Sequence, residues 1–485
     1  MRSKRFLILV IFLLPFVANA GGYSFSIKGA KLNFSGVIDF SMGEIMQGKY
    51  RAMRGWTYYQ DSVLKRDIPV SHVWFGNPLA RLNLDFSPSE KTKVLLGFEG
   101  NIFLNDFPME LGTNAVANGG PPTFPQFMDW RMHQAQGIVS ILKDEAKSLD
   151  LSLGLMPYKY NPEVRNLGEF LFRSGTYPFM LFNNYNFPLA RLTGLRLNFR
   201  YGSEKFGLTV DQFVLMEREN PPLNDISLAT IVGANFLKVV DVGVGVDFAH
   251  AIPVNGLLTT PPLSTYWDSS SGDTGHYSFK GTKLMARLTI DPIGTFRSDK
   301  ESVISQIFGE NGGKIYGEIA IIGLKNYPAS FDQIPNDIQS PSNTFDPQNP
   351  WGYTKISERM PWMVGINIPA WKVLDVCAFE LEKYPAPYPN DSYQAFLNRG
   401  LPIPTFIHYY RDTPGYDSAG YSGDRWYWSL HMKKQVVSHL SMIGQLSRDH
   451  IRWNVNAGRE NNYDTEEIMP KTGQWGWRLG LLFEF

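Results

Sequence analysis

Strict alternation of large apolar residues with other residues is the feature that most constrains the fold of this chain. In WGWRLGLLFEF, residues 475–485, every second side chain is large and apolar, and residues 31–42 and 79–86 repeat the pattern. A period of two places the apolar side chains on one face of a β-strand and the remaining side chains on the other. The chain is therefore expected to be all-β.

The connections between these alternating segments fall into two length classes that take turns along the chain. Short turns are expected at residues 87–91, 143–148, 202–205, 237–241, 369–373 and 436–438. Long connections are expected at residues 43–78, 104–129, 157–187, 217–224, 252–276, 325–359, 385–424 and 451–473. About sixteen strands lie between them, each long enough to cross a bilayer when tilted. A water-soluble sandwich has no reason to sort its loops by length, so we predict a transmembrane antiparallel up-and-down β-barrel with long extracellular loops and short periplasmic turns.

The first twenty residues have the three parts of a secretory signal peptide. A basic start is followed by an apolar run at residues 6–17 and by Ala18-Asn19-Ala20, a small-x-small cleavage site. The apolar run is short for a membrane span, which favours removal over the alternative of a retained anchor. We expect residues 1–20 to be the signal peptide and residues 21–485 to be the barrel.

Composition excludes two further classes of protein. Cys377 is the single cysteine, so an internal disulfide framework is ruled out although the chain is exported. The 46 basic residues balance the 46 acidic ones, which leaves no basic footprint for nucleic acid.

Together, the signal peptide, the alternating strands, the sorted connections and the aromatic closing strand resemble those of Gram-negative outer-membrane porins. The resemblance implies a place in the bacterial outer membrane, surrounded by lipid, and a water-filled channel for passive diffusion of ions and other small hydrophilic solutes. It also implies that the strand ending in Phe485 is recognised by the barrel-assembly machinery, and that the barrel could form a homotrimer. Aromatic residues near strand ends fit the girdles at the two membrane surfaces: Tyr201, Trp426, Trp428, Trp475 and Trp477.

The phase of each strand predicts which charged side chains face the interior of the barrel. The predicted pore-lining residues are Arg81, Arg196, Arg200, Lys283, Arg287, Arg478, Asp39, Asp85, Glu99, Asp211 and Glu318. Residues 226–237 and 374–381 give no clear phase and are left unassigned. Because both signs of charge are present, only mild ion selectivity is expected. Alternatively, the basic and acidic residues pair across the wall and only stabilise it.

The third long connection, residues 156–188, is too apolar to extend freely into water. In the porins that the chain resembles, this loop folds into the barrel and narrows it. By that resemblance Glu163, Arg165, Glu169 and Arg173 are candidates for a constriction. Packing of the segment on a neighbouring subunit is the alternative.

Residues 293–313 interrupt the series of short turns. Ser298 and Glu301 fit a capping box, the apolar residues that follow have helical spacing, and glycines end the stretch. We predict a short periplasmic helix, with an irregular insert as the alternative.

Catalysis is not supported by any recognisable site. The eight histidines are scattered, and the sequence contains no HExxH, GxSxG or GxxxxGK[ST] motif. We therefore predict no enzymatic activity, catalytic residue, cofactor or metal site. Aromatic and acidic residues in the outer loops leave sugar contact open. A sealed structural or adhesive barrel that works through its surface loops is the alternative to a channel.

Overall fold

The computed structural model describes the wall of the barrel and parts of the connections between its strands. The described residues are 23–27, 30–51, 67–76, 78–105, 127–172, 190–203, 205–216, 224–252, 254, 265–268, 273–276, 281–294, 307–308, 312–321, 324, 356–371, 373–385, 424–449, 469 and 472–485. Among them, no helix is long and apolar enough to cross a membrane.

Sixteen strands form the wall of a closed antiparallel barrel. They are β2 (Ala30–Arg51), β5 (Leu79–Ser89), β6 (Thr92–Asn105), β7 (Phe127–Lys143), β8 (Lys147–Tyr158), β9 (Ala190–Gly202), β10 (Phe206–Met216), β11 (Ile226–Phe236), β12 (Val240–Ile252), β15 (Gly281–Ile290), β16 (Ile315–Ile321), β17 (Trp362–Asn367), β18 (Val376–Pro385), β19 (Asp424–Val437), β20 (Leu440–Arg448) and β21 (Trp475–Glu484). Each pairs with its neighbours in sequence order, and β21 returns to pair with β2. The all-β transmembrane barrel predicted from the sequence is confirmed.

Closure joins the end of the chain to its first long strand. The backbone N–H of Gly36 donates to the carbonyl of Phe485 at 2.7 Å, and the N–H of Phe485 donates to the carbonyl of Gly36 at 3.0 Å. A closed sheet has no edge strand, so the wall satisfies its backbone groups internally, as a spanning structure in hydrocarbon must.

Five shorter strands accompany these sixteen. They are β1 (Tyr23–Ile27), β3 (Asp67–Val70), β4 (Val73–Gly76), β13 (Thr265–Asp268) and β14 (Asp273–His276), accompanied by a short 3-10 helix (Ile356–Arg359). Three of them, β1, β3 and β4, are hydrogen-bonded to the same sheet. β3 and β4 pair with the far end of β2, which continues to Arg51. The sequence pattern placed a loop from residue 43 onward, and that boundary was wrong because pairing with β21, β3 and β4 extends the strand.

The two faces of the wall differ in the way that the alternation predicts. On the outer face, apolar side chains stand exposed, such as Leu153 at 63%, Val244 at 57% and Leu479 at 52%. Aromatic rings meet edge-to-face near the long-loop end, where Trp362 contacts Trp426 with centroids 5.5 Å apart. Such rings fit the interfacial girdles expected at a membrane surface.

Facing glycines allow β8 and β9 to approach their neighbours closely. Gly154 has φ +126° and pairs with Gly194, which has φ +151°. A Cβ on Gly154 would lie 2.1 Å from the carbonyl oxygen of Ala135, and one on Gly194 would lie 2.1 Å from that of Val214. Only glycine fits these two positions without a shift of the backbone.

The predicted periplasmic insert lies largely outside the described residues. Ile307 and Phe308 are helical, the N–H of Gly312 donates to the carbonyl of Phe308 at 2.9 Å, and Gly313 has φ +85°. This geometry suits a helix end at a glycine. The helix as a whole stays a prediction.

Candidate functional site

Residues 159–172, which follow β8 and are called here the inward segment, lie against the inner face of the barrel. Glu380 on β18 holds the middle of this segment. Its carboxylate accepts the backbone N–H groups of Arg165 at 2.5 Å, Asn166 at 2.9 Å and Leu167 at 2.9 Å. It also accepts the hydroxyl of Tyr316 at 2.9 Å. Three successive amides thus converge on one buried carboxylate.

Glu318 on β16 holds both ends of the inward segment in the same manner. Its carboxylate accepts the backbone N–H groups of Glu169 at 3.1 Å and Phe170 at 2.9 Å. The hydroxyl of Tyr160 and the amide of Asn161, at 3.3 Å, donate to it as well. Because hydrogen bonds to a charged acceptor are stronger than neutral ones, these contacts fix the path of the segment.

Further polar contacts tie the segment to the surrounding wall. The N–H of Gly168 donates to Glu382 at 3.1 Å, and the amide of Asn166 donates to Asp449 at 2.9 Å. Lys314 Nζ donates to Glu163 at 2.7 Å. The segment therefore contacts the regions around β16, β18 and β20 of its own barrel.

An apolar core forms between the inward segment and one side of the wall. Val164, Leu167 and Leu171 are fully buried and Phe170 is nearly so. They pack with inward-facing wall residues of β8–β11, β15–β17 and β19, among them the fully buried Phe213. Burial of each large apolar side chain contributes roughly 1.5–3 kcal/mol. Hydrophobic packing and charge-assisted hydrogen bonds thus hold the same segment.

Two ionisable residues at the start of the segment have pKa values outside their ordinary range. Burial lowers the pKa of Lys159 from 10.5 to about 8, and the nearby carboxylate of Glu169 opposes this effect. Lys159 Nζ donates to the carbonyl of Val164 at 2.5 Å. Burial, followed by the negative charge of Glu318, raises the pKa of Tyr160 well above 10. The pKa of each group therefore depends on whether the segment is docked against the wall.

A continuous chain of hydrogen bonds runs along the inner face of β9. Asp211 on β10 accepts the hydroxyl of Tyr158 at 2.8 Å, Arg196 Nε at 2.8 Å and Asn198 Nδ2 at 2.6 Å. Asn198 in turn accepts Arg200 Nε at 2.7 Å through its Oδ1. Arg196 also lies over the Tyr158 ring, 4.9 Å from its centroid. The guanidinium of Arg196 stands at the border between the apolar core and the polar side of the interior.

Other interior charges pair between strands of the wall. Arg81 donates to Glu99, which also accepts Arg191 at 3.2 Å, and Arg478 donates to Asp39 at 2.8 Å and Ser41 at 3.0 Å. Arg287 bonds Asp241, and Lys283 lies opposite Asp247 in the register of β12 and β15. Glu99 and Asp39 are almost fully buried. Pairing of this kind satisfies charges that would otherwise be costly inside a barrel.

The predicted interior residues occupy the following positions. Asp39, Arg81, Glu99, Asp211, Lys283, Glu318 and Arg478 are buried, Asp85, Arg196 and Arg287 are partly exposed, and Arg200 is exposed. Of the predicted constriction residues, Glu163 and Glu169 are buried, Arg165 is partly exposed, and Arg173 lies outside the described residues. That any of them lines a conducting pore stays a prediction.

Sequence reasoning missed several residues that hold the inward segment. Glu380 and Glu382 lie on a strand whose phase was left unassigned, and Asp449 lies just past the end of β20. The alternation of Ala378, Glu380 and Glu382 with exposed Phe379 was a usable signal for the first two. Asp449 offered none, because it follows the strand.

The described residues hold no group of three or more His, Cys, Asp or Glu side chains arranged to bind a metal ion. Their chemistry in the interior is instead that of ion pairs, amide donors and carboxylate acceptors. Such groups can hold a loop in place and contact a hydrated or polar solute.

The wall is a closed antiparallel barrel of sixteen strands. No family model matches the sequence, and no curated protein does. Pseudomonas putida OprB in its high-pH structure is 11% identical, with a TM-score of 0.43 and coverage of 94% of each chain. A triple mutant of Rh. blastica porin is 7% identical, with a TM-score of 0.37 and coverage of 94% of this chain and all of that one. Likeness at this level carries no conclusion about function, which depends on the geometry above.

Proposed function

We propose that this barrel is an outer-membrane porin, a passive channel for small hydrophilic solutes that runs beside the inward segment. The observation that carries the proposal is the division of the interior. The inward segment and its apolar core contact β10, β11, β15–β17, β19 and the long-loop ends of β8 and β9. Polar side chains remain partly or fully exposed on β5, on β7 and on the short-turn halves of β8 and β9. They are Asn83, Asp85, Gln134, Gln136, Ser140, Asp150, Arg196 and Arg200.

In this proposal the inward segment narrows the channel and fixes its position. Carboxylates on β16 and β18 bind the amides of the segment, so its contacts favour a static constriction over a freely moving loop. A barrel of about sixteen strands is wide enough to keep an aqueous path beside such a segment.

Membrane placement and partners complete the proposal. The exposed apolar outer face requires lipid, and the signal peptide at residues 1–20 favours export to the bacterial outer membrane. Recognition of the strand ending in Phe485 by the barrel-assembly machinery and assembly into a homotrimer are parts of the same proposal. The channel is not an enzyme and needs no cofactor.

A sealed barrel is the second candidate, and the buried apolar core beneath the inward segment favours it. If the same packing extended across the whole interior, the barrel would stabilise the membrane or present its loops without conducting.

Liposome swelling separates the two candidates. Folded protein, verified by heat-dependent mobility on a gel, is reconstituted and exposed to neutral sugars of increasing size. The channel predicts swelling rates that fall with solute size. Absence of swelling with the smallest sugar, in vesicles that contain folded barrel, would contradict the channel and support the sealed form.

A further inference from the structure

We propose that Arg196 and Arg200 form a contact site for small oxyanions, such as carboxylates and phosphate, on the inner face of β9. This inference rests on the proposed channel and specifies which class of solute its wall contacts. The two residues are separated by Asn198 on the same face of the strand, because side chains alternate along β9.

One edge of each guanidinium is already fixed by the wall. Arg196 Nε donates to Asp211 at 2.8 Å, and Arg200 Nε donates to Asn198 at 2.7 Å. Among the described residues, neither arginine donates a hydrogen bond through its Nη atoms. Fixing Nε removes much of the rotamer freedom that an arginine loses on binding, so the free Nη edge is oriented in advance.

At this place the side chains of Arg196 and Arg200 are more exposed to solvent than the carboxylate of Asp211. The side chain of Arg196 is 21% exposed and that of its partner Asp211 is 5% exposed, while Arg200 is exposed. A solute that moves along this wall therefore meets the guanidinium groups and not the carboxylate that positions them. A planar guanidinium edge can donate two parallel hydrogen bonds to a carboxylate or phosphate, which a point charge cannot.

Asp150 is the charge that opposes this preference. Asp150 lies on β8, opposite Asn198 of β9, and accepts the hydroxyl of Ser140 at 2.6 Å. Among the described residues it forms no ion pair with Arg196 or Arg200. Asp150 lowers the net positive potential near the site but leaves the Nη edges open to a ligand.

The spacing of the two arginines suits transfer of an anion from one to the other. Four residues along an extended strand span roughly 13 Å. The two Nε atoms lie closer together than this backbone span, because both side chains reach toward Asn198 and Asp211, so an anion that leaves one guanidinium can reach the next. The site is therefore expected to bind weakly at each arginine, as a conducting path requires.

Reversal potentials in planar bilayers test the proposal in the full-length mature barrel. Under a potassium acetate or potassium phosphate gradient, Arg196→Gln and Arg200→Gln should each lower the permeability ratio of anion to cation by at least about twofold. Asp150→Asn should raise the ratio. Lys383→Gln, which removes a positive charge beside Trp426 on the outer face, is the matched control and should leave it unchanged. Equal ratios in the wild type and both arginine variants would overturn the inference.

A second measurement applies whether or not the barrel conducts, so failure of the channel and failure of the site can be told apart. Inorganic phosphate is titrated with detergent-solubilised folded barrel, and its ³¹P line width is recorded. Broadening by the wild type that is lost in the Arg196→Gln/Arg200→Gln double variant supports the site. Equal broadening by both proteins, or none by the wild type, would overturn it.

Discussion

Replacing Glu380 by Gln should release the inward segment while leaving the barrel intact. Glu380 offers two oxygens to four donors: Oε1 accepts Arg165 N and the Tyr316 hydroxyl, and Oε2 accepts Asn166 N and Leu167 N. A Gln side chain keeps one acceptor oxygen and turns an amide donor toward the other pair. Two hydrogen bonds to a charged group are lost, at roughly 1.5–3 kcal/mol each, or roughly 3–6 kcal/mol in all.

Hydrogen exchange followed by mass spectrometry measures this loss directly. Peptides that contain residues 163–169 should exchange roughly a hundredfold to ten-thousandfold faster in Glu380→Gln, because opening becomes easier by that free energy. Strand amides should keep their protection. Glu484→Gln, the same change at a half-exposed residue that lies 3.8 Å from Lys433, is the control and should exchange like the wild type. Unchanged protection of residues 163–169 in Glu380→Gln would refute the assignment of Glu380 as the anchor.

Three further perturbations address other parts of the structure. Because the pKa of Lys159 is about 8 in the folded protein and about 10.5 when unfolded, folding favours its neutral form, so stability should rise as pH increases from 8 to 10. The melting temperature of Lys159→Met in detergent should lack that rise, and a parallel rise in both proteins would contradict the reasoning. Gly154→Ala places a Cβ 2.1 Å from the Ala135 carbonyl at φ +126° and should lower the melting temperature clearly. Gly202→Ala meets nothing within 4 Å and should shift stability by less than about 0.5 kcal/mol. Leu167→Ala removes a fully buried side chain at a cost of roughly 2–5 kcal/mol, so exchange in the inward segment should accelerate while the strands stay protected, and equal exchange would exclude Leu167 from the core.

The wall of the barrel was predictable because its physical cause is local. Each strand must present apolar side chains to lipid at every second position, so its sequence alternates with a period of two. Interior positions such as Glu99 and Arg478 followed from the same phase. Pairing partners such as Arg81 with Glu99 could not be read from the pattern, since they depend on the register between strands.

The anchoring of the inward segment was less predictable because its contacts join residues far apart in sequence. The amide of Asn166 meets Glu380, and the hydroxyl of Tyr160 meets Glu318. Backbone amides leave no sequence signal, so a carboxylate that binds them looks like any interior acid. The sequence singled out residues 156–188 through their apolar content, but it did not indicate that residues 159–172 would form a buried core with the wall.

Single-channel current in a planar bilayer tests the central claim, a water-filled path beside the docked segment, most directly. The account predicts stable current steps that are proportional to the applied voltage, carried by barrels whose residues 163–169 remain protected from exchange. Barrels that are folded and inserted but pass no current would contradict it.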